Sequence, residues 1–369
     1  MIFLDFEYLK TEYDSLVLDK EDLNKTLNIA SKIAHINSAS IECNSLSFIP
    51  DWMHRTLTLT ITNDLTYFKN KVELLGDINK SLKDVFSIKI ETLNKLRPYF
   101  RDKILIYKKD TNYYIRLIDG DLLLNVNVPN MNKLAFTSSD ASIIYETKVG
   151  YLCKLLNYYK NMSDDYSDKW ITFDGEKISL CGLNFYAETE IRTPIMCLLM
   201  TDVELLLKLD QYYSEESLLI LSTDSSIPKL HIKVANIEIE ILNVTSNINR
   251  NNISKLNSFI ADSNYEIDPE ALKRVLNIAI SLNDINKDCI IQSINDNIVV
   301  ILNDNKGVSK FNLVTSKLEK SPEVNETKLN VNTLYKIINC SSEDTTKIAL
   351  NKIYTTICNN DIKAIILNK

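Results

Sequence analysis

The stretch Asp268-Pro-Glu-Ala-Leu-Lys-Arg-Val-Leu-Asn-Ile-Ala-Ile-Ser-Leu282 opens with a carboxylate that can cap free N–H groups and a proline suited to the first helical turn. Its apolar residues then recur at helical spacing. Directly after it the period changes to two, over Cys289–Ile294, Asn297–Leu302 and Ser309–Val314, which predicts three consecutive strands. A helix followed by a three-stranded meander cannot bury both of its apolar faces alone, so the next question is whether the pattern returns.

It does. Helical patterns also occur over Glu21–His35, Glu91–Asp102, Thr147–Lys160, Thr201–Tyr213 and Asn330–Cys340, with starts 54 to 70 residues apart. Period-two runs follow these too, for example Lys103–Lys108, Tyr113–Ile118 and Asp121–Val128. Others are Trp170–Phe173, Lys177–Cys181 and Tyr186–Arg192, with Asp174-Gly175 as a hairpin turn, and Lys347–Leu350, Ile353–Cys358 and Ile362–Leu367. Short strands such as Asp84–Lys89 and Glu326–Leu329 precede most of the helices. The predicted unit is β-α-β-β-β, repeated six times. Pairing of units predicts an α+β protein of three domains, 1–138, 139–262 and 263–369, each with two helices against antiparallel sheets. The Asn- and Ser-rich segment Thr245–Ser258 reads as the loop into the last domain.

Composition narrows the function. The 369 residues carry 42 Lys and Arg against 49 Asp and Glu, a net charge of −7, so a surface basic all over is excluded while a local basic face is not. Only 6 glycines occur, none spaced to build a Gly-rich phosphate loop. Seven cysteines without a CxxC and three isolated histidines predict free buried thiols and no zinc site or other metal centre. The paired carboxylates Asp164-Asp165, Glu215-Glu216 and Glu343-Asp344 lie at helix ends or turns, and no GxSxG or Cys/His arrangement occurs. The expectation is a protein that is not an enzyme and has no cofactor. The absence of a signal-like start or a long apolar run predicts a soluble, cytoplasmic location.

A three-domain chain of six such units resembles the bacterial DNA sliding clamp, the beta subunit of the replicative polymerase. Lys328-Leu-Asn-Val-Asn-Thr-Leu-Tyr-Lys-Ile-Ile-Asn339 looks like the family's F-N-V-x-Y-L-x-x-x-L segment, and Tyr265-Glu-Ile-Asp-Pro-Glu-Ala-Leu-Lys-Arg-Val-Leu276 like the opening of its third domain. The chain departs from the family at its end, Lys363-Ala-Ile-Ile-Leu-Asn-Lys369, and at Cys181-Gly-Leu-Asn-Phe-Tyr186, where the family has T-D-G-H-R-L. Heavy Lys, Asn and Ile usage is compatible with a phage or a diverged bacterial source.

The resemblance implies a homodimeric ring with helices facing duplex DNA and sheets outside. Contacts to phosphate carry no sequence information, so such a ring can slide. It implies DNA-facing roles for Lys25, Lys32, Lys95, Arg97, Arg101, Lys148, Lys154, Lys160, Tyr166, Lys273 and Arg274. It further implies a hydrophobic cleft for a peptide of the DNA polymerase and clamp loader, formed by Leu183, Phe185, Ile253, Leu256, Ile365, Ile366 and Leu367. Read without the resemblance, each lysine is a solvated helix face and Ile365–Leu367 a buried strand. A structural or assembly protein, such as a phage particle component of repeated β-rich modules, would share the acidity and the missing motifs.

Overall fold

A computed structural model describes residues 6–34, 38, 40–76, 80–134, 143–163, 170–182, 185–211, 217–223, 229–242, 265–281, 288–295, 297–304, 307–318, 324–340, 345–360 and 362–369. Among them all six predicted modules are present. The first runs β1 (Asp14–Asp19), α2 (Lys20–Ile33), β2 (Ser45–Asp51), β3 (Thr56–Thr62) and β4 (Thr66–Glu73). The second is β5 (Phe86–Lys89), α4 (Ile90–Leu96), β6 (Lys103–Lys109), β7 (Asn112–Leu117) and β8 (Gly120–Leu124), trailed by β9 (Val126–Asn127). The third is β10 (Ile143–Lys148), α5 (Val149–Met162), β11 (Trp170–Asp174), β12 (Lys177–Cys181) and β13 (Phe185–Glu190). The fourth is β14 (Ile195–Leu199), α6 (Met200–Leu206), β15 (Leu218–Thr223), β16 (Lys229–Val234) and β17 (Ile237–Leu242). The fifth is β18 (Tyr265–Ile267), α7 (Pro269–Ser281), β19 (Asp288–Ile294), β20 (Asn297–Asp304) and β21 (Gly307–Leu313), trailed by β22 (Thr315–Lys317). The sixth is β23 (Glu326–Asn330), α8 (Val331–Asn339), β24 (Thr346–Leu350), β25 (Tyr354–Cys358) and β26 (Lys363–Leu367).

Local chemistry explains the helix ends. Asp19 accepts from the Glu21 and Asp22 amides at 2.7 and 3.4 Å, Asp268 from Glu270 at 2.8 Å, and Asn330 from Thr333 at 3.0 Å. The helix expected over Glu91–Asp102 is shorter: α4 stops at Leu96 and tightens into a 3-10 turn, Arg97–Tyr99, where Pro98 supplies no N–H. Among the described residues two helices fall outside the repeat, α1 (Phe6–Glu12) and α3 (Ile41–Asn44).

Modules do not keep their own first strands. Module two's meander takes β1 of module one, giving the sheet β1-β6-β7-β8, while module one's meander takes β5. Modules three and four exchange β10 and β14 in the same way, and modules five and six exchange β18 and β23. Two longer seams then join modules three apart. β17 pairs antiparallel with β4 and β13 with β26, so that the four sheets have four, nine, nine and four strands.

The chain forms two compact bodies, Met1–Tyr151 with Glu204–Val244, and Leu152–Val203 with Thr245–Lys369. In the first, Leu16, Leu18, Ile104, Ile106 and Ile115 are fully buried on one face of the β1-β6-β7-β8 sheet. Its other face packs Val17, Leu105 and Tyr107 against Leu9 of α1. In the second, Ile291, Val300, Leu329, Leu334 and Ile338 are buried from sheet and helix sides alike. Burying such residues supplies the main driving force, about 1.5–3 kcal/mol each.

Candidate nucleic-acid and partner interfaces

The first body gathers α2, α4 and the end of α6. Arg97 stitches the first two together: its Nε donates to Asn24 Oδ1 at 3.2 Å, and Nη2 to the Asn24 carbonyl at 2.5 Å and Asn28 Oδ1 at 2.7 Å. Arg101 donates to the Leu117 and Ile118 carbonyls at 3.2 and 2.9 Å, holding the end of β7. Both guanidiniums are therefore engaged in the fold. The lysines sit differently. Lys95 is 73% exposed and leans on Glu91 one turn earlier at 2.7 Å, and Lys25 does the same with Glu21 at 3.1 Å. Lys32 reaches Glu204 of α6 at 3.8 Å. Exposed pairs of this kind are worth only about 0.2–1 kcal/mol, so these ammoniums can turn to an incoming phosphate at little cost. Lys148 closes β10, opposite Leu218.

The second body gathers α5, α7 and α8. Tyr159 is fully buried and its hydroxyl bonds the Ile178 carbonyl at 2.9 Å and Thr189 at 2.8 Å, which fixes the roll of α5 on its meander. Burial, first of all, drives the Tyr159 phenol well above its ordinary pKa. On the other side of α5, Lys154 lies 5.6 Å from the Tyr158 ring centroid. Lys336 of α8 donates to the Ser163 carbonyl at 2.9 Å, tying α8 to the end of α5 close to Lys160. Lys273 is mostly covered and bonds Glu270 at 2.7 Å, whereas Arg274 is 73% exposed with Asp268 at 3.9 Å. Tyr166 lies outside the described residues. Sequence spacing offers Lys336 as a cation of this helix but does not announce the Ser163 carbonyl that it caps.

Of the expected cleft residues, Leu183, Ile253 and Leu256 lie outside the described residues. Phe185 of β13 stands opposite Ile366 of β26, both buried. Ile365 is buried too, and Leu367 is the exposed member of the trio at 42%. Ile353, at 69%, accepts the Asn368 amide at 2.8 Å, so the apolar surface at this end of β26 is Leu367 with Ile353. The expected alternation along β26 gives way because both faces of that strand are covered.

The sheet edges differ from one another. The outer edge of β1 is occupied by main chain: Ser15 bonds Lys80 and Leu82, and Val17 accepts from Leu75 at 2.8 Å. The outer edge of β23 takes the Lys369 amide on the Lys328 carbonyl at 2.9 Å. β8 and β21 end their sheets with no further strand among the described residues. Each displays apolar side chains there, Leu123 at 56% and Val308 at 63% exposed. Open edges with apolar side chains are templates for another strand.

Among the described residues no three His, Cys, Asp or Glu side chains converge as metal ligands, and no helix is long and apolar enough to cross a membrane. Burial pushes the Cys289 and Cys340 thiols up to about 12, out of the nucleophilic range.

No protein-family model matches the sequence, and no curated protein matches it. Solved structures do match the fold. A sliding clamp (DNA polymerase III subunit beta) from Pseudomonas aeruginosa bound to griselimycin superposes with a TM-score of 0.78 over 97% of this chain and 99% of its own, at 10% identity. The Helicobacter pylori beta clamp bound to a DNA ligase peptide gives 0.75 over 96% and 99%, at 13% identity. The DNA polymerase III beta subunit of Thermotoga maritima gives 0.73 over 96% and 99%, at 11%. The chain has the DNA sliding-clamp fold over 96–97% of its length.

Proposed function

We propose that this protein is a DNA polymerase processivity factor, a non-catalytic ring of two copies that encircles duplex DNA and tethers the polymerase. The observation that carries the reading is the agreement over nearly the whole of both chains with solved sliding clamps. The three-domain division 1–138, 139–262 and 263–369 is supported by the exchange of first strands, which couples modules one with two, three with four and five with six. The homodimer is supported by the open edges of β8 and β21, the third meander strands of modules two and five. Each seam joins an odd module to the one three further on, one to four and three to six; among the described residues module five has no such partner in its own chain, and module two is left over.

Within this reading Lys25, Lys32, Lys95, Lys154, Lys160 and Arg274 meet phosphates directly, with Lys148 and Lys273 near them. Arg97 and Arg101 hold the helices that present the lysines. Binding is then weak and indifferent to sequence, as sliding requires. The clamps of Pseudomonas aeruginosa and Helicobacter pylori were solved with griselimycin and with a DNA ligase peptide. By analogy, the polymerase and clamp loader dock here through a short hydrophobic peptide against the β26 end, with Leu367 and Ile353 as its exposed apolar residues. The working place is the replication fork in the cytoplasm, of the host if the gene is a phage's.

Sedimentation tests the ring: a mass near twice 42.3 kDa together with stimulation of a cognate polymerase on a long template is expected. A stable assembly of many copies without effect on synthesis would favour the rival particle component.

A further inference from the structure

In each hairpin that leads into a third meander strand, one ladder pair joins residues five apart, as Thr62 and Tyr67 do in module one. Three residues further along the third strands stand Asn70, Leu124, Thr189, Ile241, Phe311 and Ile366, in modules one to six. All but Phe311 are buried, so this place faces the core and an apolar side chain is its ordinary occupant. Modules one and three depart from that with Asn70 and Thr189. Burying an amide or a hydroxyl is costly unless it is hydrogen-bonded, and both are bonded to the helix of their own module. Asn70 Nδ2 donates to Thr26 Oγ1 of α2 at 2.8 Å, and Thr189 Oγ1 accepts from the Tyr159 hydroxyl of α5 at 2.8 Å.

β4 and β13 are also the strands that modules one and three bring to the seams. The residue before each polar one points to the other face and meets the charges there. Lys69 stands opposite Glu238, 3.3 Å away, and Glu188 stands opposite Lys363, which pairs with Glu190 at 2.7 Å. In module one the inward bond continues across the seam. Asn236, in the turn between β16 and β17, donates from Nδ2 to Asn70 Oδ1 at 2.8 Å and to the Lys71 carbonyl at 2.9 Å. Its own carbonyl accepts the Lys71 amide at 3.0 Å. Thr26 in turn donates to the Asp22 carbonyl one helical turn back at 2.8 Å. A chain of side-chain bonds, every donor pointing the same way, therefore leads from the turn of module four through β4 to the backbone of α2. Bonds linked in this way polarise one another in a buried setting.

We infer that Asn70 is a positioning residue for DNA contact: bonded to Thr26 on its own side and to Asn236 across the seam, it fixes the roll of α2 on its sheet, and so the direction in which Lys25 and Lys32 meet phosphate. The inference rests on the clamp reading and adds to it a buried residue that touches no DNA. Lys25 adjoins Thr26 and Lys32 lies two turns further on, so a roll of α2 turns both lysines together. Arg97 grips the helix from module two through Asn24 and Asn28, and Asn70 with Asn236 grips it from module four. The helix takes its setting from both neighbours.

The test uses the full chain and leaves Asn70 itself in place, because its removal from the core can unfold the protein. Thr26→Val keeps the side-chain shape and removes the hydroxyl, Asn236→Ala removes the donor at an exposed turn, and neither alters charge. Hydrogen exchange reads the linkage without DNA. The α2 amides should exchange on the order of fivefold faster in either variant, with the double variant less than additive. Unchanged α2 exchange in Asn236→Ala overturns the linkage. Binding of a fluorescent duplex reads the positioning. Lys25→Ala should lower the log–log salt slope by about 0.9 in the parent, and by clearly less in the Thr26→Val and Asn236→Ala backgrounds. An equal loss in all three backgrounds, with α2 loosened, shows that the bonds serve stability only and overturns the inference. A parent that binds no duplex overturns the clamp reading and the inference together, even where exchange shows the linkage.

Discussion

Lys229 and Glu240 form an ion pair at 3.0 Å, diagonally placed on β16 and β17, with only 2% and 3% of their side chains exposed. Glu240 also faces Tyr67 across the β4–β17 seam, so the pair sits where module four joins module one. Removing one member takes a 3.0 Å charge partner from the other in a buried setting, and breaking a buried ion pair costs about 3–5 kcal/mol. Lys229→Met keeps the volume and stem and removes only the ammonium. In a body built from Met1–Tyr151 and Glu204–Val244, 3–5 kcal/mol corresponds to a fall in melting temperature of roughly 6–20 °C. Lys229→Met with Glu240→Leu removes both charges and should recover most of the stability, since buried pairs replaced by apolar residues are often no less stable. Thermal and urea denaturation of the parent, both single variants and the double variant complete the cycle. Singles costing less than about 1 kcal/mol, or a double variant no better than the worse single, would refute the claim that this pair is a desolvated couple.

Replacing Lys25, Lys95, Lys154 and Lys160 with Glu should abolish processive synthesis at unchanged melting temperature. The salt dependence of DNA binding should flatten by about 0.9 in log–log slope for each phosphate no longer neutralised, and an unaltered slope would remove these helices from the DNA. Arg97→Ala should act on stability instead, costing about 2 kcal/mol in denaturation because three bonds to Asn24 and Asn28 go with it. Hydrogen bonds from Lys108 at 2.6 Å and Tyr113 at 2.7 Å hold the Asp84 carboxyl below its ordinary pKa. Its contribution is therefore complete above the unfolded carboxylate value and lost as pH falls through the lower folded one. Stability measured from about pH 6 down to about pH 2 should have a shallower acid limb in Asp84→Asn, and identical limbs would show that the bonds do not form in solution.

Much of the fold was legible because the period of the apolar residues changes from helical to two at each helix end, and that signal is local. Asp268-Pro269 and Asn330 announced their helices by chemistry that operates within one turn. The exchange of first strands was not legible. The apolar run Leu16-Val17-Leu18 marks a strand covered on both faces, but its partner β6 begins at Lys103, and nothing in either segment names the other. α1 was missed because seven residues give too few turns for a periodic signal, and it is held by Leu9 packing on Val17, Leu105 and Tyr107. At the candidate site, spacing identified exposed cations such as Lys95 and Arg274 but could not separate them from Arg97 and Arg101. Those two bind oxygens of Asn24, Asn28, Leu117 and Ile118, bonds that only the packed chain creates. The charge pairs of the seams were invisible for the same reason, since Lys69 and Glu238 are 169 residues apart.

Topological retention on DNA is the most direct test of the clamp. Fluorescently labelled protein is assembled on a nicked circular plasmid with its cognate loader and ATP, then separated from free protein by gel filtration in buffer of raised salt. Half of the complex is cut once with a restriction enzyme before the column. A ring that holds DNA by encircling it co-elutes with the circle and is released from the linear form. Co-elution with both forms, or with neither, would contradict the account.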